Sequence, residues 1–115
     1  MTQIIQGADV TTLINTFTTT PETQGRVLDI LLESTEKHIR HLPGFINANF
    51  HKAPDGTRIV NYSQWASPDA WKAMQADPVA GGHIAELLSL VTADWNLYEV
   101  VATFTPTEAA VSPVA

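Results

Sequence analysis

Hydrophobic and polar residues follow two different spacings along this chain. Alternation at every second position is typical of β-strands, because successive strand side chains point to opposite faces. Apolar residues that recur three or four positions apart are typical of amphipathic helices. In chain order, the two spacings predict a strand at 10–18, a helix at 20–42, strands at 45–52 and 58–65, helices at 67–74 and 80–90, and a strand at 96–104.

Turn and capping residues separate these elements. Ser67 followed by Pro68 predicts a helix start, because the hydroxyl can cap free N–H groups and proline fits the first helical position. The segment 53–56, Ala-Pro-Asp-Gly, predicts a hairpin between the second and third strands, with the glycine supplying a positive φ. Pro43-Gly44 predicts the end of the long helix.

The predicted order β-α-β-β-α-β is the split βαβ pattern of the ferredoxin-like α+β fold, an antiparallel sheet with helices on one face. We assign residues 10–104 to this domain, 1–9 to an N-terminal arm and 105–115 to a flexible tail. The other sheet face would expose apolar residues, which predicts a homodimer with sheet packed on sheet as an α+β barrel. The residues expected on that face are Ile46, Ala48, Phe50, Val60 and Tyr62. The tail after Pro106 is expected to contact the partner chain.

The third predicted strand carries unusual residues for a buried element. Ile59, Asn61, Ser63 and Trp65 share one of its faces, and Trp71 follows on the next helix. Aliphatic side chains would pack more simply than an amide and an indole, so this face indicates a lined cavity. The plainer alternative is that both tryptophans are core residues and that Asn61 satisfies a neighbouring backbone group.

Composition excludes several classes of function. The 115 residues carry a net charge of −6, which disfavours nucleic acid and anionic membranes as partners. There is no cysteine, and therefore no disulfide, thiolate nucleophile or sulfur-ligated metal. The chain has neither a Gly-x-Gly-x-x-Gly motif nor a P-loop, so no nucleotide cofactor is predicted. The N-terminus lacks the pattern of a secretory signal, so a soluble cytoplasmic protein is expected.

Three segments carry a family resemblance: HIRHLPGF at 38–45, DGTRIVNYSQWAS at 55–67 and ADP at 76–78. They resemble the antibiotic biosynthesis monooxygenase family of dimeric α+β barrels, most closely its actinorhodin-type anthrone monooxygenases. The similarity extends from about Leu13 to Phe104. It implies a pocket between sheet and helices in which molecular oxygen oxidises a polyketide anthrone to a quinone without flavin, haem or metal.

The resemblance also assigns residues. The family's strand asparagine and tryptophan match Asn61 and Trp65, whereas its tyrosine, helix tryptophan and arginine are replaced by Trp71, His38 and Ile84. Asn61 and Trp65 would stabilise the substrate enolate by hydrogen bonds, with His38 as the general base. The expected substrate-binding residues are Trp71, Asn15, Phe17 and His83.

Two other functions stay open. A haem-degrading relative of the same fold would use Asn15 and His83, and a non-catalytic dimer would hold an aromatic metabolite in the same pocket. His38 and His41 lie one helical turn apart near Glu33 and Glu36, but no further ligand is evident, so no metal site is predicted.

Overall fold

The computed structural model describes residues 3–5 and 9–107. Its elements are β1 (Thr11–Thr18), α1 (Gln24–Lys37), a 3₁₀ helix (Ile39–His41), β2 (Phe45–Lys52), β3 (Arg58–Trp65), α2 (Pro68–Ala76), α3 (Pro78–Leu90) and β4 (Thr92–Tyr98). The four strands form one antiparallel sheet in the order β2-β3-β1-β4. This is the predicted ferredoxin-like α+β fold.

Parts of the sequence prediction lie outside the described residues. These are most of the N-terminal arm and residues 108–115 of the tail, together with the expected tail contact to a partner chain. Across the described ranges, no helix has both the length and the apolar character that a membrane crossing requires.

Most element boundaries follow the local signals in the sequence. β2 and β3 have the predicted limits, and the Ser67 side chain caps α2 by accepting a hydrogen bond from the Ala70 backbone N–H at 3.1 Å. The long helix is shorter than predicted at both ends. At its start, Thr20 and Thr23 bond to each other through backbone and hydroxyl groups, which holds a turn before α1. At its end, His38 leaves the helical conformation with φ −135° and ψ −61°.

The last strand was predicted at 96–104 and lies instead at Thr92–Tyr98. β4 begins directly after Val91, which caps the end of α3. Its register pairs Tyr98 with Thr12, next to the first residue of β1. Only Thr11 of β1 lies beyond this pair, so β1 is too short to pair with residues as far as Phe104, which is 93% exposed.

Two groups of buried side chains lie between the sheet and its helices. One consists of Phe17, Val27, Leu31, Ile59, Leu87 and Val91. The other consists of Leu13, Trp65, Trp71, Met74 and Ala80. Both groups draw on the sheet face that the helices cover, as the apolar spacing of α1 and β3 predicts.

A β-bulge between Phe45 and Asn47 changes which β2 side chains face the helices. Beyond the bulge, Ala48 pairs with Ser63 and Phe50 with Asn61, and both line the space under the helices. The prediction that Ala48 and Phe50 lie on the uncovered sheet face is therefore wrong, because one extra residue reverses the alternation.

Candidate active site

A cavity of about 230 Å³ lies between the helix-covered face of the sheet and helices α1, α2 and α3. Most of its lining is apolar. Its polar lining side chains from the sheet are Asn15, Asn61 and Ser63, which we call the polar centre. A concave, mainly apolar cavity with few polar groups is the usual form of a small-molecule site.

The polar centre occupies the two central strands. Asn15 and Asn61 are direct cross-strand partners, and Ser63 lies two residues further along β3. The Asn15 Oδ1 and Ser63 Oγ atoms are buried and have no hydrogen-bond partner among the described residues. Buried polar atoms normally have partners, so this unmet capacity points to a polar group on a ligand.

Asn61 is oriented by its neighbouring strand. Its Oδ1 accepts a hydrogen bond from the Asn49 backbone N–H at 3.2 Å. Its Nδ2 bonds to none of the residues in 3–5 and 9–107, so the amide N–H groups are free to donate to a ligand. The alternative interpretation, that Asn61 satisfies a neighbouring backbone group, is therefore correct for its oxygen. Its nitrogen is still available to a ligand.

Aromatic rings form much of the cavity wall. Trp65 is only 2% exposed and contacts Phe45 edge to face, with ring centroids 5.4 Å apart. Trp71 is buried and packs against Trp95 with centroids 4.6 Å apart and planes tilted by 52°. Trp95 is half exposed and faces Asn15 across the strands, so it stands at the rim of the cavity.

Trp95 and Ser34 are among the lining residues that sequence reasoning missed. Trp95 fell outside the predicted last strand, although Ala93, Trp95 and Leu97 show the alternation of a strand. Ser34 continues the buried stripe of α1 after Val27 and Leu31, at helical spacing. A polar residue in such a stripe is the signal that could have identified it.

Ser34 contacts the histidine that was expected to bind substrate. Its Oγ lies 2.6 Å from Nδ1 of His83, and both residues line the cavity. Ser34 is 4% exposed, and His83 is half-buried. This bond connects α1 with α3 across one end of the cavity.

His38 lies outside the cavity lining, so the prediction that it stands beside the substrate is not met. Its Nε2 lies 2.6 Å from Oδ2 of Asp77. The same carboxylate oxygen caps α3 by accepting from the backbone N–H groups of Val79 and Ala80. The bond from Ala80 and then the contact with His38 hold the pKa of Asp77 below its usual range. Because α1 ends at Lys37, His38 turns toward the start of α3.

The other predicted site residues, Asn15, Phe17, Asn61, Trp65, Trp71 and His83, all line the cavity, and so does Ile84. No group of three or more His, Cys, Asp or Glu side chains suited to a metal ion occurs within the described part of the chain. Among the described residues, His38 and His41 are therefore not part of a group of three or more potential metal ligands.

Comparison with known proteins gives a consistent result. The chain is 46% identical over 78 residues to the tetracenomycin-F1 monooxygenase of Streptomyces glaucescens, covering 68% of this chain and 70% of that protein. The monooxygenase from the gene ActVA-Orf6 of Streptomyces coelicolor, solved with nanaomycin D, has a TM-score of 0.74 and 28% identity over 84% of this chain and 92% of that one. SnoaB, a cofactor-independent oxygenase from Streptomyces nogalater, has a TM-score of 0.65 and 26% identity over 88% of this chain and 100% of that one.

The model of the family described as antibiotic biosynthesis monooxygenase matches residues 11–86, which include three of the four strands and the cavity residues from Leu13 to Ile84. The match covers more than half of the chain and agrees with the 46% identity to the tetracenomycin-F1 monooxygenase. The chain belongs to the antibiotic biosynthesis monooxygenase family.

Proposed function

We propose that this protein is a cofactor-independent monooxygenase that oxidises the methylene of an anthrone-like polycyclic aromatic to a quinone. The reaction consumes one molecule of oxygen: the methylene carbon becomes a carbonyl, and the second oxygen atom leaves as water. The relatives named above support a monooxygenase acting on a polyketide. The observation that carries the proposal is a polar centre with unmet hydrogen bonds inside an otherwise apolar, aromatic cavity.

Such a substrate can supply the electrons itself. An anthrone methylene is acidic because its anion is delocalised over two aryl rings and the carbonyl. The anion can give one electron to oxygen, and recombination of the two radicals forms the carbon–oxygen bond, which avoids the spin barrier to direct reaction. The protein then has to favour the enolate and exclude water.

Asn61 is well placed for the first task. Its oxygen is held by the Asn49 backbone, so its Nδ2 can donate to the oxygen on which enolate charge develops. The Trp65 indole N–H, on the same strand face, is the second proposed donor. Donors of this kind act as in an oxyanion hole, where removing one costs about 3–4 kcal/mol in favourable cases.

The aromatic wall suits a flat polycyclic substrate. We assign Phe17 and Trp71 to its binding, with Asn15 as a hydrogen-bonding group at the centre of the wall. Apolar surroundings lower the local dielectric and strengthen the bonds to the enolate oxygen. Stacking on aromatic rings adds binding energy beyond the area that is buried.

We also propose that the protein is a homodimer that packs through the sheet face opposite the helices. Val60, Tyr62 and Ile14 are only partly buried on this face. The Tyr62 hydroxyl is buried, yet it has no hydrogen-bond partner in the described ranges, which is consistent with a group supplied by a second chain.

Aerobic turnover of emodin anthrone by protein treated with a chelator tests the proposed reaction. We expect quinone to form faster than in buffer, with no added cofactor. Tight anthrone binding without turnover would instead support the non-catalytic binding module.

The haem-degrading alternative also has specific support, since Asn15 and His83 both line the cavity. Titration with haemin decides this point. A stoichiometric Soret band that is lost in His83→Gln, together with no anthrone turnover, would replace the proposed function with haem degradation.

A further inference from the structure

Among the described residues that line the cavity, only His83 has a side chain of a type that commonly acts as a general base. The remaining described lining residues are apolar, aromatic, hydroxyl or amide side chains, and none is Asp, Glu, Lys, Arg, Tyr or a second His. The mechanism proposed above needs a group that accepts a proton from the substrate. Histidine is the common choice for this task.

The contact with Ser34 leaves the other side of the imidazole ring available. Nδ1 bonds to Ser34 Oγ at 2.6 Å, whereas Nε2 makes no hydrogen bond to a described residue. When Nδ1 carries the proton and donates it to Oγ, the lone pair of Nε2 can accept a proton.

Ser34 can hold the ring in both of its protonation states. A hydroxyl donates one hydrogen bond and accepts others, so Oγ can bond to Nδ1 before and after proton transfer. The imidazolium has N–H groups on both nitrogens, and Oγ then accepts from Nδ1. Because Ser34 is 4% exposed in the packed face of α1, it has little freedom to move away.

We propose that His83 is the general base of this site and that Ser34 is its positioning residue. Nε2 takes the proton of the acidic methylene, the C–H electron pair becomes the enolate, and the ring becomes an imidazolium. No oxidant is needed for this step. The inference rests on the proposed function, because it assumes a substrate with an acidic C–H group. It replaces His38, whose Nε2 is engaged by Asp77.

Hydrogen exchange without oxygen tests this step separately from oxidation. Emodin anthrone is incubated anaerobically in D₂O with the protein, and deuterium entry at the methylene is followed by mass spectrometry. We expect the unmodified protein to exceed buffer, and His83→Gln to lose about 10²-fold or more of that acceleration. His41→Gln is the matched control, since His41 is exposed on the 3₁₀ helix, and it should exchange at the normal rate.

Ser34→Ala tests the positioning role. We expect the exchange rate at saturating anthrone to fall while the anthrone concentration for half-saturation stays the same, because the ring is misaligned and the binding wall is intact. If Ser34 served only in packing, the substitution would lower the melting temperature, and the exchange rate of the folded protein at saturating anthrone would not fall. The melting temperature of each variant is measured alongside to identify any that fail to fold.

The outcomes separate this inference from the proposed function. Equal exchange by His83→Gln and the unmodified protein would overturn the role of His83, even if both form quinone in air. Exchange no faster than in buffer by the unmodified protein would also overturn it. Exchange that depends on His83 without quinone in air would uphold the base and reject the oxygenase.

Discussion

Asn61 serves the sheet and the cavity with different ends of one amide. Its oxygen accepts from the Asn49 backbone, and its nitrogen is left for a ligand. The backbone hydrogen bond thereby fixes the orientation of the Asn61 amide without the help of other side chains. Catalytic donors need such fixed orientation, because a donor that must reorganise during the reaction loses much of its effect.

Trp65→Phe tests the second proposed donor. The change keeps most of the buried ring but removes the indole N–H. We expect turnover of emodin anthrone to fall by about 10-fold, the equivalent of one hydrogen bond that strengthens as the enolate forms. The melting temperature should change little, because the Trp65 indole N–H makes no hydrogen bond to a described residue and the strand pairing of its backbone is unchanged.

The same variant separates this role from plain packing. A lower melting temperature with normal turnover per folded molecule would mean that Trp65 is only a core residue.

The sequence was sufficient to predict residues whose direction follows from strand alternation. Asn61 and Trp65 share a face in any regular strand from Arg58 to Trp65. The two-residue repeat of a strand was therefore enough to predict that both side chains lie on the same side of the sheet. His38 was misplaced because its direction depends on where α1 ends. Periodicity continues past Lys37, whereas the helix does not.

Gly44 joins the 3₁₀ helix to β2 where the chain approaches α2. Its φ is +84°, and a Cβ built there would overlap the Cβ of Ala70. Gly44→Ala should therefore lower the free energy of unfolding by about 1–3 kcal/mol, the cost of a strained backbone conformation. Denaturant unfolding measures the change.

Gly82→Ala provides the contrast. This glycine lies within α3, and a Cβ there would meet no atom within 4 Å. Alanine is the better helix former, so stability should rise by up to about 1 kcal/mol. Equal effects at positions 44 and 82 would contradict the proposed cause.

Asp77 connects the end of α1 to the start of α3 through its contacts with His38 and the cap of α3. Its pKa is lower in the folded protein than when unfolded. The charged carboxylate therefore contributes stability above about pH 4, and this contribution is lost as the pH falls through the folded pKa. Asp77→Asn should melt a few degrees lower near neutral pH, with a difference that shrinks in acid.

Thermal melts across the pH range measure this difference. Asp29→Asn is the control, since Asp29 is exposed on α1, and it should show no such trend. A gap between Asp77→Asn and the unmodified protein that stays constant into acid would contradict the assignment.

The elements that sequence failed to predict depend on pairing partners. The bulge between Phe45 and Asn47 arises from the pairing of β2 with β3. The alternation of residues within β2 does not predict it. The limit of β4 is set by the start of β1, more than eighty residues away in the chain. By contrast, Ser67 and Pro68 act within one turn, and their prediction was confirmed.

At the scale of the whole molecule, the sheet face opposite the helices is expected to pack against a second copy of the chain. Sedimentation at micromolar concentration should give twice the mass of one chain. Val60→Glu places a charge on this face and should yield monomers, because burying an unpaired charge is costly. Val79→Glu changes an apolar residue that is 49% exposed on α3, and it should remain dimeric.

A folded monomer of the unmodified protein at that concentration would reject the dimer. Dissociation by both substitutions would mean that general destabilisation, and not this face, is responsible.

Oxygen uptake by Asn61→Leu tests the central claim most directly, namely that the polar centre of this cavity stabilises the substrate enolate. Leucine fills a similar volume and removes the donor, so the fold should be retained. With emodin anthrone in air and no added cofactor, the unmodified protein should consume one molecule of oxygen per quinone. The variant should be slower by about 10²–10³-fold. Turnover equal to that of the unmodified protein, in a variant that melts normally, would contradict the account.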